Sequence, residues 1–166
     1  MKIKASVLKY GDNISTDDII PGPYLHLTSA DDLAKYAMYR IDSQFPQKAA
    51  KGVVLVVGKY FGCGSSREQA AICLKHAGVQ AIIGKSFARI FYRNAINQGM
   101  LVVESSVCVD AIKDSDYVTI DTEKGKIMNC TQSTDYSMKP LPIFLNEIIA
   151  CGGLLYWLQK KEKNKD

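Results

Sequence analysis

Two serines, an arginine and flanking glycines stand together in Gly62-Cys63-Gly64-Ser65-Ser66-Arg67-Glu68. A serine hydroxyl can exchange a proton with a substrate once it is activated. A guanidinium can hold a carboxylate through two parallel N–H bonds, and glycine lets the backbone approach a ligand closely. The run follows the apolar, β-branched stretch Val53 to Val57 and precedes a segment of helical periodicity, Ala70 to His76. A strand that ends in a Gly/Ser loop and feeds a helix turns backbone N–H groups toward one point, which suits an anion. Carboxylate binding ranks above phosphate binding, because the run lacks the third glycine of a dinucleotide fingerprint and the Gly-Lys-Ser/Thr of a P-loop.

Ser65 also fits the N-cap of that helix, with Glu68 completing a capping box. A hydrolase-type serine nucleophile needs a histidine base, and the chain has only His26 and His76. His76 closes the same helix about three turns away, out of reach. The five cysteines, Cys63, Cys73, Cys108, Cys130 and Cys151, are widely spaced, with no Cys-x-x-Cys pair, so neither a disulfide framework nor a zinc site is supported. Most of them read as small buried hydrophobes, and Cys63 in the Gly/Ser loop is the exception.

The elements that must position this loop follow from periodicity. Lys2 to Leu8 reads as a strand, Gly11-Asp12-Asn13 as a turn, and Thr28 or Ser29 as the cap of a helix carrying Leu33, Tyr36 and Ala37. The centre alternates strand and helix: Val53 to Val57, the helix to Gly78, Ala81 to Gly84, a helix capped by Ser86 and stopped by Gly99, then Leu101 to Glu104. Short buried strands between helices predict parallel pairing with helices on the faces. Tyr117 to Asp121 and Lys126 to Cys130 predict a peripheral hairpin, and Ile143 to Ala150 a last helix before the apolar run Leu154 to Leu158. The expected class is α/β with a parallel central sheet.

Composition narrows the function. The 166 residues are 47% hydrophobic and 23% charged, an ordinary globular balance expected to give a single domain over 1–158. Half of the net charge of +4 lies in the last eight residues, Gln159 to Asp166, so the basic excess reads as a solvated, flexible tail rather than a nucleic-acid surface. No apolar run approaches the ~20 residues of a membrane span, and the N-terminal strand does not resemble a signal peptide. A cytoplasmic protein with no nucleic-acid or membrane partner is expected.

Three motifs occur in order: Asn13-Ile14-Ser15-Thr16-Asp17-Asp18-Ile19-Ile20-Pro21, Phe61 to Glu68, and Lys85-Ser86-Phe87-Ala88-Arg89-Ile90-Phe91-Tyr92-Arg93-Asn94-Ala95. Together they resemble the swivel domain of the aconitase superfamily, above all its free-standing form, the small subunits of isopropylmalate dehydratases and homoaconitases. The likeness runs from Val7 to Gly153. It implies the swivelling-domain (β/β/α) fold and a hydro-lyase that moves a hydroxyl between adjacent carbons of a di- or tricarboxylate by dehydration and rehydration. It implies a large partner subunit carrying a 4Fe–4S cluster, with no cofactor or metal on this chain. The isopropylmalate type is the expected activity. Homoaconitase and 2,3-dimethylmalate dehydratase are alternatives within the class, and a stand-alone anion- or nucleotide-binding module is the alternative outside it.

Residue by residue, the resemblance assigns the proton-abstracting alkoxide to Ser65 and substrate contacts to Ser66 and Arg67, in the loop that Gly64 shapes. Thr16 and Asp17 fall in a stretch that the family places near the site. Arg89 and Arg93, four apart on one helix face, suit either a carboxylate clamp or subunit contacts, and Arg93 with Asn94 is assigned to the interface or pocket wall. His26 and Thr28 occupy the stretch after Tyr24-Leu25 where related small subunits read the substrate's variable group, commonly with an arginine. Here that stretch carries His26. A helix N-terminus stabilises an anion by about 0.3–2 kcal/mol, at most about 1.5 pKa units at ~1.36 kcal/mol per unit. That is too little to make a serine basic near neutrality. The isolated chain is therefore expected to be inactive.

Overall fold

In the computed structural model, which describes residues 1–163, charged and small or apolar residues alternate along β1 (Lys2–Lys9), so every second side chain from Ile3 to Val7 is buried. β1 lies in the middle of a seven-stranded sheet of order β4-β3-β2-β1-β5-β6-β7. On one side β2 (Val53–Val57), β3 (Val79–Gly84) and β4 (Leu101–Glu104) run parallel to it. On the other side β5 (Tyr117–Asp121), β6 (Lys126–Asn129) and β7 (Thr134–Ser137) form an antiparallel meander. The parallel sheet, its flanking helices and the peripheral hairpin are as expected, and β7 extends the hairpin to three strands.

The uniform apolarity of β2 has a direct cause. Val53, Leu55 and Val57 join one core cluster, while Val54 and Val56 join a second on the opposite face. The first cluster takes in α1 (Thr16–Ile19), α2 (Ala30–Ala34), α3 (Phe45–Ala49), α4 (Gln69–Ala77) and α5 (Arg89–Asn97) through Ile19, Leu33, Phe45, Leu74 and Phe91. The second takes in α6 (Ser106–Ala111) and α7 (Ile143–Ala150) through Val109, Ile148 and Ile149. A strand buried on both faces has no polar side to alternate with.

Helix ends depart from the sequence expectation at two serines. α4 begins at Gln69 with Glu68 in the cap position, so Ser65 is not a cap and the box with Glu68 does not form. α5 begins after Ala88 with no side-chain cap, and Ser86 Oγ instead accepts from Tyr60 N–H. At Ser86 a tertiary hydrogen bond takes the place of the local cap. The box forms at α1, where Ser15 accepts from Asp18 N–H and Asp18 accepts from Ser15 N–H. Ser29 caps α2, and left-handed Gly78 ends α4, both as predicted. The apolar run after Gly153 is the first half of a helix, α8 (Leu154–Lys163), so residues 159–163 of the expected flexible tail are helical and exposed. Residues 164–166 lie outside the described residues.

Candidate active site

The three motifs are separate in sequence, yet each occupies the connection leaving the carboxyl end of β1, β2 or β3. In parallel α/β sheets that end is where ligands bind. Backbone bonds lace the three together. Gly62 N–H donates to Ile14 O at 2.8 Å, Thr16 N–H to Cys63 O at 2.7 Å, and Ala88 N–H to Phe61 O at 2.9 Å. Gly62 and Gly64 adopt left-handed φ of 76° and 96°, which turn the loop without steric cost. Gly62 is also required for packing: a Cβ there would lie 2.2 Å from the Phe91 ring.

At the tip, Ser65 and Ser66 are exposed, and neither hydroxyl has a hydrogen-bond partner among the described residues. Their main chain is held from below, where buried Thr16 donates its hydroxyl to Ser65 O at 3.0 Å. A Cβ on Gly64 would come to 3.4 Å from the same Thr16 oxygen. Arg67 is only 20% exposed; its Nη1 donates to Asp17 Oδ1 at 2.5 Å and to Ile20 O at 3.4 Å. Among the described residues only Nη1 is used, which leaves the other N–H groups of the guanidinium for a planar anion such as a carboxylate. Thr16, Asp17, Gly64, Ser65, Ser66 and Arg67 thus form one constellation: two free hydroxyls beside an oriented cation.

The remaining candidates lie apart from it. His26 is exposed in the segment between a 3₁₀ turn (Gly22–Tyr24) and α2, and its Nδ1 lies 2.7 Å from Pro23 O. Thr28 is exposed two residues on. The chain leading into it passes Ile20, whose carbonyl Arg67 contacts, and Tyr24 stacks on Tyr36 at 3.6 Å between ring centroids. Arg93 lines a different feature, a groove between α5 and the 138–145 segment. Periodicity had no means of finding the Tyr24–Tyr36 stack, whereas the Ser-x-x-Asp spacing of Ser15 and Asp18 was a readable signal. Burial pushes the Cys73 thiol well above its ordinary range and raises Cys108, so both are inert core thiols. Cys63 is half-buried, with its Sγ 3.7 Å from Asn13 O.

Among the described residues, no group of three or more His, Cys, Asp or Glu side chains could hold a metal ion, and no helix is long and apolar enough to cross a membrane. Free hydroxyls beside a restrained arginine can bind a carboxylate and move a proton at the carbon next to it.

Comparison with known proteins agrees with this geometry. The family model of the aconitase C-terminal domain matches residues 9–107. The 3-isopropylmalate dehydratase small subunit of Thermodesulfovibrio yellowstonii is 46% identical over 166 residues, covering 100% of this chain and 99% of the relative. That of Helicobacter hepaticus is 46% identical over 164 residues, covering 99% of each. A crystal structure of 3-isopropylmalate dehydratase from Methanocaldococcus jannaschii superposes with a TM-score of 0.93 at 45% identity, covering 99% of this chain and 98% of that one.

Proposed function

The chain belongs to the aconitase C-terminal domain family, and from that premise we propose that it is the small subunit of a hydro-lyase that isomerises 3-isopropylmalate by dehydration and rehydration. The observation that carries the reading is the Ser65-Ser66-Arg67 tip tied to Thr16 and Asp17, in a chain alike over its full length to subunits of that enzyme.

Arg67 and Ser66 hold one carboxylate of the substrate and fix the adjacent carbon beside Ser65 Oγ. Deprotonated Ser65 takes the proton from that carbon, the freed electron pair forms the double bond, and the C–O bond on the neighbouring carbon breaks, the departing hydroxide taking a proton from solvent to leave as water. Water then adds in the opposite sense: it gives up a proton to solvent as its oxygen bonds the carbon that lost its proton, and Ser65 gives its proton to the neighbouring carbon, which restores the alkoxide. Because α4 starts at Gln69, its dipole does not act on Ser65 directly. Stabilising the alkoxide falls to Arg67 and to a closed, water-poor site. The family resemblance assigns to the large subunit a 4Fe–4S cluster, which supplies the Lewis acid for the departing hydroxyl. Asp17 orients Arg67, and the His26–Thr28 segment faces the substrate's variable group. The enzyme works in the cytoplasm, in leucine biosynthesis.

The test is reconstitution. The chain is mixed with a cluster-bearing large subunit of a 3-isopropylmalate dehydratase, and hydration of the unsaturated acid is followed. Activity of the mixture and none of either part is the expected result. Turnover by this chain alone overturns the reading. A panel with the homoaconitase and 2,3-dimethylmalate substrates fixes the acid.

A further inference from the structure

α5 leaves the candidate site directly, since Ala88, which precedes it, donates to Phe61 of the Ser65 loop. From there an open groove of about 710 Å³ runs between α5 and the segment 138–145, with the end of β4 as its floor. Arg89 and Arg93, four apart on α5, face into it with Lys139, against a single lining carboxylate, Glu104. None of these three cations forms an ion pair among the described residues. Apolar walls come from Phe87, Met138, Leu141 and Leu145. Beside the lining residues stand large apolar side chains in water: Ile90 at 49% exposure, Ile143 at 79% and Phe144 at 55%.

Resting on the proposed function, we infer that this groove is the docking surface for an acidic, apolar-anchored segment of the large subunit. Charge selects the sign of the partner, because an excess of unpaired arginine and lysine is complementary to Asp and Glu. The exposed rim selects a protein over a small acid: a dicarboxylate filling the groove leaves Ile90, Ile143 and Phe144 in water, whereas a protein surface covers them. Position selects the large subunit, because a chain seated here abuts the Ser65 loop and can complete the site that this chain leaves open.

The full chain is titrated with the cluster-bearing large subunit, at low and at raised salt. Arg89→Glu/Arg93→Glu is expected to weaken association at least ~30-fold and to flatten its salt dependence, with an unchanged circular dichroism spectrum. Ile143→Asp, a change at a solvent-facing position, is expected to weaken association as well. Undiminished affinity of both variants, with wild type binding, overturns the inference and leaves the proposed function standing. Intact assembly with a raised KM makes the groove a carboxylate site and overturns the docking role. Loss of self-association of this chain by sedimentation, with large-subunit affinity intact, assigns the groove to a second copy and overturns it too. Failure of the wild-type chain to bind any such large subunit overturns both readings.

Discussion

Ser65 and Ser15 make opposite uses of the same side chain. Ser65 Oγ has no partner among the described residues, so Ser65→Ala is expected to change stability by no more than about 0.5 kcal/mol while reducing turnover of the assembled enzyme to background. Thermal unfolding and a steady-state assay on one preparation check both halves; near-normal turnover removes Ser65 from the chemistry. Ser15→Ala removes the capping box of α1 and is expected to cost about 0.5–2 kcal/mol, read as a shift in the urea midpoint. Asp17→Asn keeps the shape but weakens the hold on Arg67, so a rise in KM larger than the fall in kcat is expected. A fall in kcat alone contradicts an orienting role. His26→Arg is expected to reorder kcat/KM among isopropyl-, methyl- and carboxyethyl-substituted malates, with discrimination of roughly 1–3 kcal/mol per contact. Identical ratios in both proteins remove His26 from specificity.

At the scale of elements, the site depends on how closely α5 approaches the β2–α4 connection. Gly62 combines a left-handed φ with a Cβ position occupied by the Phe91 ring. Gly62→Ala is therefore expected to cost about 1–3 kcal/mol, to lower the melting temperature, and to displace the Ser65 loop. Wild-type stability in that variant shows that the loop and α5 relax apart freely. The sequence made the glycines legible as loop formers, but not Phe91 as the neighbour that forbids a side chain at Gly62. It also misplaced the start of α4, because local propensity favours Ser65 as a cap while Thr16 and Asp17, nearly fifty positions earlier, engage Ser65 O and Arg67 instead.

For the whole molecule, folding lowers carboxyls outside the Ser65 constellation and so ties stability to pH. Burial, the largest influence on Asp116, pushes its carboxyl up. Hydrogen bonds from Lys113 N–H, Asn129 and Gln132, with the charge of Lys113, outweigh burial and hold it below the usual carboxylate value. Asp42 is lowered too: burial raises it, but bonds from Lys48, Tyr10 and Gln44 N–H prevail. A carboxyl lowered by folding contributes stability above its unfolded value that is lost as pH falls through its folded value. Urea midpoints are therefore expected to fall steadily on acidification below about pH 5, and Asp116→Asn is expected to flatten that dependence. An unchanged pH slope assigns the acid sensitivity to other groups.

The Gly/Ser loop that carries Ser65, Ser66 and Arg67, the buried strand β2, the end of α4 at Gly78 and the parallel pairing of the central strands were all written in residue type and period. Each depends on the side chains of a few neighbouring residues, which is why sequence alone determined them. The bond from Thr16 to Ser65, the clamp of Asp17 on Arg67, the stack of Tyr24 on Tyr36 and the groove beside Arg93 depend on chain segments that approach only after the sheet has formed. Such contacts carry no periodic signal. Only the tertiary structure decided them, because each is made between segments that the sheet brings together.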